Sequence, residues 1–292
     1  MRVTSRLPDW LTFRRFAAFT TTLTLALVML GVYTAATGAG LACSAQWPLC
    51  DNGLLPQSIP SFIEWFHRLV AMVTGWFILG TAAWAWRGGD RRARVPATLA
   101  VVLLPLQISI GAVTVTLSGL FPQGYSPPTQ GAHLVVALTI FTALVVTTLR
   151  AYEDHYDRPR LLRVQHSLLA AALTLPVSVL FSRVVVSLSY SPAAQAAYYG
   201  TSLAVFGAVV AATTWLGDTD ADLGRLRYVT GAVLALVFAS LLLGRDLVYY
   251  TPQVRAYNLG VVALAGVLLL AATLAAYRAG DGGRSLVATS RH

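Results

Sequence analysis

Eight long apolar runs are the feature that most constrains the fold of this chain. About 20 residues of α-helix cross the hydrocarbon core of a bilayer, and each run reaches that length. Of the 292 residues, 56% are hydrophobic and only 11% are charged, whereas a soluble protein carries roughly a quarter charged residues. The sequence therefore predicts an all-α integral membrane protein with eight transmembrane helices, placed at 16–36, 62–86, 95–117, 130–150, 165–188, 194–216, 228–250 and 256–277.

The basic residues predict how these helices are oriented. All 21 are Arg, and 17 of them lie before the first run, after the last, or between runs 2 and 3, 4 and 5, or 6 and 7. Because Arg accumulates in cytoplasmic loops, we expect both termini in the cytoplasm, with the chain in the plasma membrane of a prokaryote. The net charge of +9 reflects this topology, and its spread over all the inner loops argues against nucleic-acid binding. The first run lacks a clear small-residue cleavage site and is followed by seven more runs, so we expect no removable signal peptide.

Weak internal similarity predicts that one four-helix unit is used twice. An offset of 132 residues pairs Gly75 with Gly207, and an offset of 125 pairs Pro127 with Pro252. Such repeats are common in membrane proteins. The sequence therefore predicts two tandem four-helix bundles, residues 1–152 and 153–292, with the polar segment 150–164 as the linker.

Two of the five histidines are predicted to lie at membrane depth. His67 precedes Arg87 by 20 residues and His133 precedes Arg150 by 17, which puts them about 30 and 26 Å from the inner ends of their helices. Two imidazoles at one level, on two helices of one bundle, are what axial ligation of a haem iron requires. Two unrelated interfacial histidines would also fit the spacing. The other histidines are expected at polar or interfacial positions: His155, His166 and His292.

Polar and small residues occur at the same predicted level. Glu64 lies one helical turn outward of His67, where it could orient the imidazole or transfer protons at a substrate. Arg68 could pair with Glu64 or bind a haem propionate, and a plain ion pair at the lipid boundary is the simpler alternative. Gln107 could donate a hydrogen bond to a substrate, and Gly111, one turn further, would allow close approach of a helix or a macrocycle.

The two cysteines both fall between the first and second runs, on the predicted outer side. An oxidising compartment favours a disulfide between Cys43 and Cys50. Such a bond would either staple the loop or form a redox-active or substrate-contacting pair, and the sequence does not separate these alternatives.

Two arginines lie near the predicted outer ends of helices five and seven. Arg183 and Arg245 are expected to extend toward the interface, as long basic side chains do at helix ends. Asp246 follows Arg245 directly, and adjacent helical residues face apart. The pair would therefore make a poor buried relay, which disfavours a transporter.

Four segments resemble the haem A synthase family of terminal-oxidase assembly enzymes: TGAGLACSAQWPLC (37–50), IEWFHRLV (63–70), LQISIGAVTV (106–115) and PPTQGAHLVVAL (127–138). The resemblance is strong over about residues 30–140. It implies an eight-helix, two-repeat fold and an activity that oxidises the C8 methyl of haem O to the formyl of haem A through successive hydroxylations and a dehydration. It also implies a haem O synthase and a terminal oxidase as partners, and it leaves the electron donor and a homo-oligomer open.

The resemblance implies a role for each candidate residue in the first half. His67 and His133 would be axial ligands of the haem iron. Glu64 would be the functionally important acidic residue, and Cys43 and Cys50 the outer-loop cysteine pair. Together with the possible cofactor contacts Arg68, Gln107 and Gly111, these residues make residues 1–152 the expected haem-binding and substrate-binding half.

The second half departs from the family pattern. Family members carry a second histidine pair there, usually assigned to haem b, but no histidine occurs between 167 and 291 in this chain. The residues aligned with His67, His133 and Glu64 are Tyr199, Asn258 and Ala196. A bis-histidine haem is therefore not expected in this half. Two alternatives stay open: a haem-handling assembly factor that delivers haem without oxidising it, and a b-type membrane cytochrome, which usually needs haems on both sides of the bilayer.

Overall fold

A computed structural model describes residues 10–43, 46, 49–88, 91–116, 126–185, 191–217, 224–245 and 250–289, the last nine as backbone only. In this part of the chain the regular elements are helical, and eight helices are long and apolar enough to cross a membrane. The all-α, eight-helix prediction is thus confirmed. The helices are α1 (Phe13–Ala36), α2 (Ile59–Gly88), α3 (Arg91–Thr116), α4 (Pro127–Tyr152), α5 (Arg160–Leu180), α6 (Pro192–Leu216), α7 (Leu226–Leu243) and α8 (Pro252–Thr289).

The four even-numbered helices begin in the same way. Each is preceded by a Ser or Thr whose hydroxyl accepts a hydrogen bond from a backbone N–H of the first turn, and each has Pro within that turn. A hydroxyl cap satisfies one otherwise unpaired N–H, and Pro costs little there because its missing N–H has no partner inside the helix. These signals fix where α2 and α4 begin. The capping residues are Ser58, Ser126, Ser191 and Thr251.

The helices of each half pack as a closed ring of four. In the first half α1 contacts α2 and α4, and α3 contacts the same two, so that α2 and α4 face each other across the bundle. The second half repeats this pattern with α5 to α8, and α6 also packs against α1 and α4. This packing is consistent with two tandem four-helix bundles. The largest apolar core follows α6, where Leu203, Val205 and Val209 are fully buried.

Helices α5 and α7 both end earlier than predicted. The apolar runs suggested ends at 188 and 250, but α5 stops at Leu180 and α7 at Leu243. After α5 the Ser182 hydroxyl donates to the Val179 carbonyl at 2.7 Å, which closes the last turn. After α7 the N–H of Gly244 donates to the Ser240 carbonyl at 2.9 Å, and the chain then leaves the helix. The predicted ends were wrong because hydropathy does not distinguish a helix from a buried apolar turn.

Candidate functional site

The segment between α1 and α2 carries both cysteines and is here called the cysteine loop (residues 42–58). Cys43 and Cys50 form a disulfide, which confirms the predicted bond, and both residues are buried. The two sulfur atoms lie 3.6 and 3.8 Å from the carbonyl oxygen of Ser61 in the first turn of α2. The side chain of Ser61 also donates to Asp51 at 3.0 Å. The disulfide therefore fixes the cysteine loop against the start of α2.

Glu64 connects α2 to the cysteine loop. One carboxylate oxygen accepts a hydrogen bond from the Arg68 guanidinium, and the other accepts the Cys43 backbone N–H at 2.6 Å. Arg68 also donates to the Gln46 carbonyl. Glu64 is only 2% exposed, so the predicted ion pair exists but is buried rather than lying at the lipid boundary. No hydrogen bond joins Glu64 to the His67 imidazole among the described residues, and Nδ1 of that ring has no partner there.

His67 and His133 lie on the two helices that face each other across the first bundle. His67 is eight residues into α2 and His133 six residues into α4, about 12 and 9 Å from the helix starts, so the two rings are nearly level. They lie close enough for a Coulombic interaction. In each ring Nδ1 is buried and has no hydrogen-bond partner among the described residues. Two imidazoles at one level with unpaired buried nitrogens are suited to ligate one metal ion, such as a haem iron.

A glycine borders each of these imidazoles. A Cβ atom at Gly31 on α1 would lie 3.0 Å from Cε1 of His67, and one at Gly111 on α3 would lie 3.3 Å from Cε1 of His133. The sequence predicted that a helix or a macrocycle would approach Gly111 closely; in the structure the close neighbour is the ring of His133. Gly31 was missed. It follows Arg15 by 16 residues, about 24 Å along α1, so the same depth argument could have placed it near the histidines.

Gln107 contacts the second imidazole directly. Its side-chain nitrogen lies 3.0 Å from Nε2 of His133, and its carbonyl oxygen is buried without a partner among the described residues. Which amide atom faces the ring depends on the assigned tautomer. A metal bound at Nε2 would replace this hydrogen bond, whereas a metal bound at Nδ1 would leave it in place. Gln107 is thus able to influence which ring nitrogen is available.

The corresponding positions of the second half hold buried polar side chains that are hydrogen-bonded. Tyr199 is fully buried and donates to the Leu241 carbonyl at 2.7 Å. Asn258, also fully buried, accepts from the Ser240 hydroxyl at 3.0 Å and donates to the Tyr250 hydroxyl at 3.1 Å. Neither side chain is an imidazole, and each is hydrogen-bonded to neighbouring groups of the second half. The residues of the second half therefore do not fit an axially ligated haem.

Arg183 and Arg245 fold inward. Arg245 is only 8% exposed and donates to the side-chain oxygen of Gln130 on α4 at 3.1 Å. Arg183 donates to the Arg245 carbonyl at 2.9 Å and lies 4.4 Å above the ring of Tyr250. The expectation of extension to the interface was wrong for Arg245, because α7 ends early and Arg245 lies in the turn that follows; Arg183, in the turn after α5, is half-buried. Asp246, the other member of the predicted pair, lies outside the described residues.

The chain also matches known proteins over the part that holds this site. Residues 14–186, more than half of the chain, match the model of a family described as cytochrome oxidase assembly protein (COX15-CtaA). The chain belongs to this family. The match covers the cysteine loop, both facing histidines and the two glycines, and it confirms the resemblance found in the sequence.

Individual relatives match the same region. The chain is 32% identical over 137 residues to the heme A synthase of Bacillus licheniformis, covering 46% of this chain and 43% of that protein. It is 33% identical over 142 residues to the heme A synthase of Geobacillus kaustophilus, covering 47% and 43%. It is 40% identical over 122 residues to a protoheme IX farnesyltransferase of Halobacterium salinarum, covering 41% and 26%. The chain thus spans less than half the length of these curated relatives.

Proposed function

We propose that this chain binds haem O through His67 and His133 and oxidises its C8 methyl group to the formyl group of haem A, for the assembly of a terminal oxidase. The observation that carries this proposal is the pair of level imidazoles on facing helices, each with an unpaired buried Nδ1. Relatives named heme A synthase support the reaction. A relative named for farnesyl transfer to protoheme IX supports haem O as the substrate, because haem O is a farnesylated protohaem.

In this proposal each residue of the site has a physical task. Haem O would be the substrate: the C8 methyl at the edge of its porphyrin would take one oxygen atom from water and lose four protons and four electrons, the electrons passing to an external acceptor. His67 and His133 hold the haem iron between α2 and α4. Glu64 is the proton-transfer group, and the Arg68 pair and the Cys43 N–H keep its carboxylate in place at the cysteine loop. The disulfide acts with Glu64, because it fixes the backbone that donates to the carboxylate.

The second candidate function is haem delivery without oxidation. It is favoured by the hydrogen-bonded Tyr199 and Asn258, which stand where imidazoles would be needed to hold an electron-relaying haem. In the enzyme proposal, electrons must therefore leave through a separate protein or through a neighbouring copy of this chain. In the delivery proposal no electron acceptor is needed.

Extraction of porphyrins separates these two candidates. The chain is expressed with a haem O synthase in a host that lacks haem A, and the pigments of the purified protein are analysed by mass spectrometry. We expect haem A from the wild-type chain and none from His67→Ala. Haem O alone, recovered from well-folded wild-type protein, would contradict the enzyme proposal and favour delivery.

The same proposal includes the membrane location and the partners of the protein. It is a multi-pass membrane protein, placed in the plasma membrane of a prokaryote with both termini cytoplasmic and the cysteine loop outside. The distribution of Arg and the oxidised cysteine pair support this orientation. A haem O synthase would supply the substrate, and a terminal oxidase would receive the product.

The glycines beside the imidazoles give a further prediction. Gly31→Ala places a methyl group 3.0 Å from Cε1 of His67, so the ring must shift relative to His133. We expect haem affinity to fall by about tenfold, the effect of roughly 1.4 kcal/mol, and the electron paramagnetic resonance signal of the ferric haem to change. Gly75→Ala is the matched control, because a Cβ there meets no atom within 4 Å. An unchanged signal and affinity in Gly31→Ala would contradict the proposed ring geometry.

A further inference from the structure

Arg245 is a buried cation of the second half that reaches the first. Only 8% of Arg245 is exposed. In the described part of the chain its guanidinium donates one hydrogen bond, to the side-chain oxygen of Gln130 at 3.1 Å. The Nε atom is buried and has no partner among the described residues. No carboxylate in the described part of the chain forms an ion pair with Arg245. A guanidinium in this state still has N–H groups to donate.

The surroundings of Arg245 are positive. Arg183 donates to the Arg245 carbonyl at 2.9 Å, and Arg255 donates to the Val184 carbonyl at 3.0 Å, so three guanidinium groups occur around the turns that follow α5 and α7. Gln130 lies in the first turn of α4, where the helix dipole adds partial positive charge. A buried cation at membrane depth costs several kcal/mol unless an anion accompanies it. The region therefore favours an anionic group beside Arg245.

The position of Arg245 limits what that anion can be. Gln130 precedes His133 by three residues and shares its face of α4. Arg245 is also close enough to His133 for a Coulombic interaction. The anion would thus lie next to the imidazole and away from bulk solvent.

We infer that Arg245 binds a carboxylate group of the porphyrin, a propionate, when the iron is held by His67 and His133. This inference rests on the proposed function, because it requires haem at those histidines. A guanidinium pairs with a carboxylate through two parallel N–H···O bonds, and Arg245 retains Nε–H for such a pair. The second half then contributes directly to substrate binding, although it lacks haem ligands of its own. A lipid phosphate offers similar anionic oxygens and is the alternative source that the experiment must separate.

The test compares two forms of one porphyrin. Iron protoporphyrin IX and its dimethyl ester, in which both propionates are neutral, are titrated into the full-length protein in detergent, with the bis-imidazole absorption as the readout. We expect the wild-type chain to bind the free acid about 10- to 100-fold more tightly than the ester, the effect of a charge-assisted pair. Arg245→Gln should lose this preference and bind the ester as the wild type does. Arg245→Lys, which keeps the charge, should retain part of the preference.

Arg225→Gln is the matched control. Arg225 is exposed and lies at the opposite end of α7, so the same change of charge there should leave the preference for the free acid intact. An unchanged preference in Arg245→Gln, or equal weakening of acid and ester, would overturn the inference. Loss of co-purified anionic lipid from Arg245→Gln without a change in preference would assign the guanidinium to a lipid phosphate and overturn it as well. If the wild-type chain gives no bis-imidazole spectrum with either form, the proposed function itself fails.

Discussion

Replacing either His67 or His133 with Ala is expected to abolish the low-spin, bis-imidazole haem spectrum of the purified protein. A low-spin haem of this type needs a strong nitrogen ligand on each side of the iron. In the described part of the chain these are the two histidines that lie at this level of the first bundle, one on α2 and one on α4. Losing one ring leaves one axial position without a protein nitrogen. Absorption and electron paramagnetic resonance spectra of each variant, reconstituted with haem, provide the measurement.

His166→Ala is the control for this experiment. His166 is exposed near the start of α5, where its ring lies 3.3 Å from an Arg158 nitrogen. Its removal should leave the haem spectrum unchanged. Circular dichroism of each variant shows that the helices remain. A wild-type spectrum from both His67→Ala and His133→Ala would remove the ligand assignment and with it the proposed chemistry.

The membrane explains why the helices were predictable from the sequence. A chain that crosses lipid must satisfy its backbone within helices, so runs of about 20 apolar residues have few alternatives. The same constraint turns sequence distance into depth, so the spacing of His67 and His133 from the inner ends of their helices predicts that they lie at one level. The level of a residue is therefore the site property that the sequence predicts best.

The sequence predicted side-chain direction less well. Residues 181–185 continue an apolar run, yet they form turns that carry Arg183 toward α7. The end of α7 depends on a tertiary contact, because a Cβ at Gly244 would lie 2.8 Å from a ring carbon of Tyr198. Hydropathy contains no information on such contacts. The burial of Arg245, and its approach to Gln130, could be found only from the packed structure.

The partners of Glu64 show the same limit. Its spacing from Arg68 predicted the ion pair, since both lie on one helical face. The Cys43 N–H could not be predicted, because it depends on a loop in which Asp51 and Asn52 adopt left-handed backbone conformations. Loop conformation is set by hydrogen bonds such as those between Gln46 and Asn52. The helical periodicity of the sequence does not predict these loop hydrogen bonds.

The two halves use the same helix packing for different purposes. In the first, imidazoles on two facing helices keep unpaired buried nitrogens. In the second, Tyr199 and Asn258 stand at the aligned positions, and their polar atoms are hydrogen-bonded. An unpaired buried polar atom costs free energy, so it persists where a ligand can compensate it. This contrast supports the proposal that haem binds in the first half, with Arg245 of the second half assisting.

Glu64→Ala is expected to destabilise the protein by about 3–5 kcal/mol, because it leaves the largely buried Arg68 guanidinium without its counter-ion. It also leaves the buried Cys43 N–H without an acceptor. Glu64→Gln should cost less, since the amide oxygen can still accept one of these hydrogen bonds. Unfolding in mixed detergent, followed by circular dichroism, measures the difference.

Arg92→Ala is the matched control for the Glu64 ion pair. Arg92 pairs with Glu153 at 3.5 Å, but its side chain is 65% exposed, so its loss should cost less than about 1 kcal/mol. The double variant Glu64→Ala/Arg68→Leu should recover part of the stability lost in Glu64→Ala, because no uncompensated guanidinium is then buried. If Glu64→Ala costs no more than Arg92→Ala, the carboxylate does not hold the cysteine loop against α2. The proposal that these contacts keep the carboxylate in place for proton transfer would then be wrong.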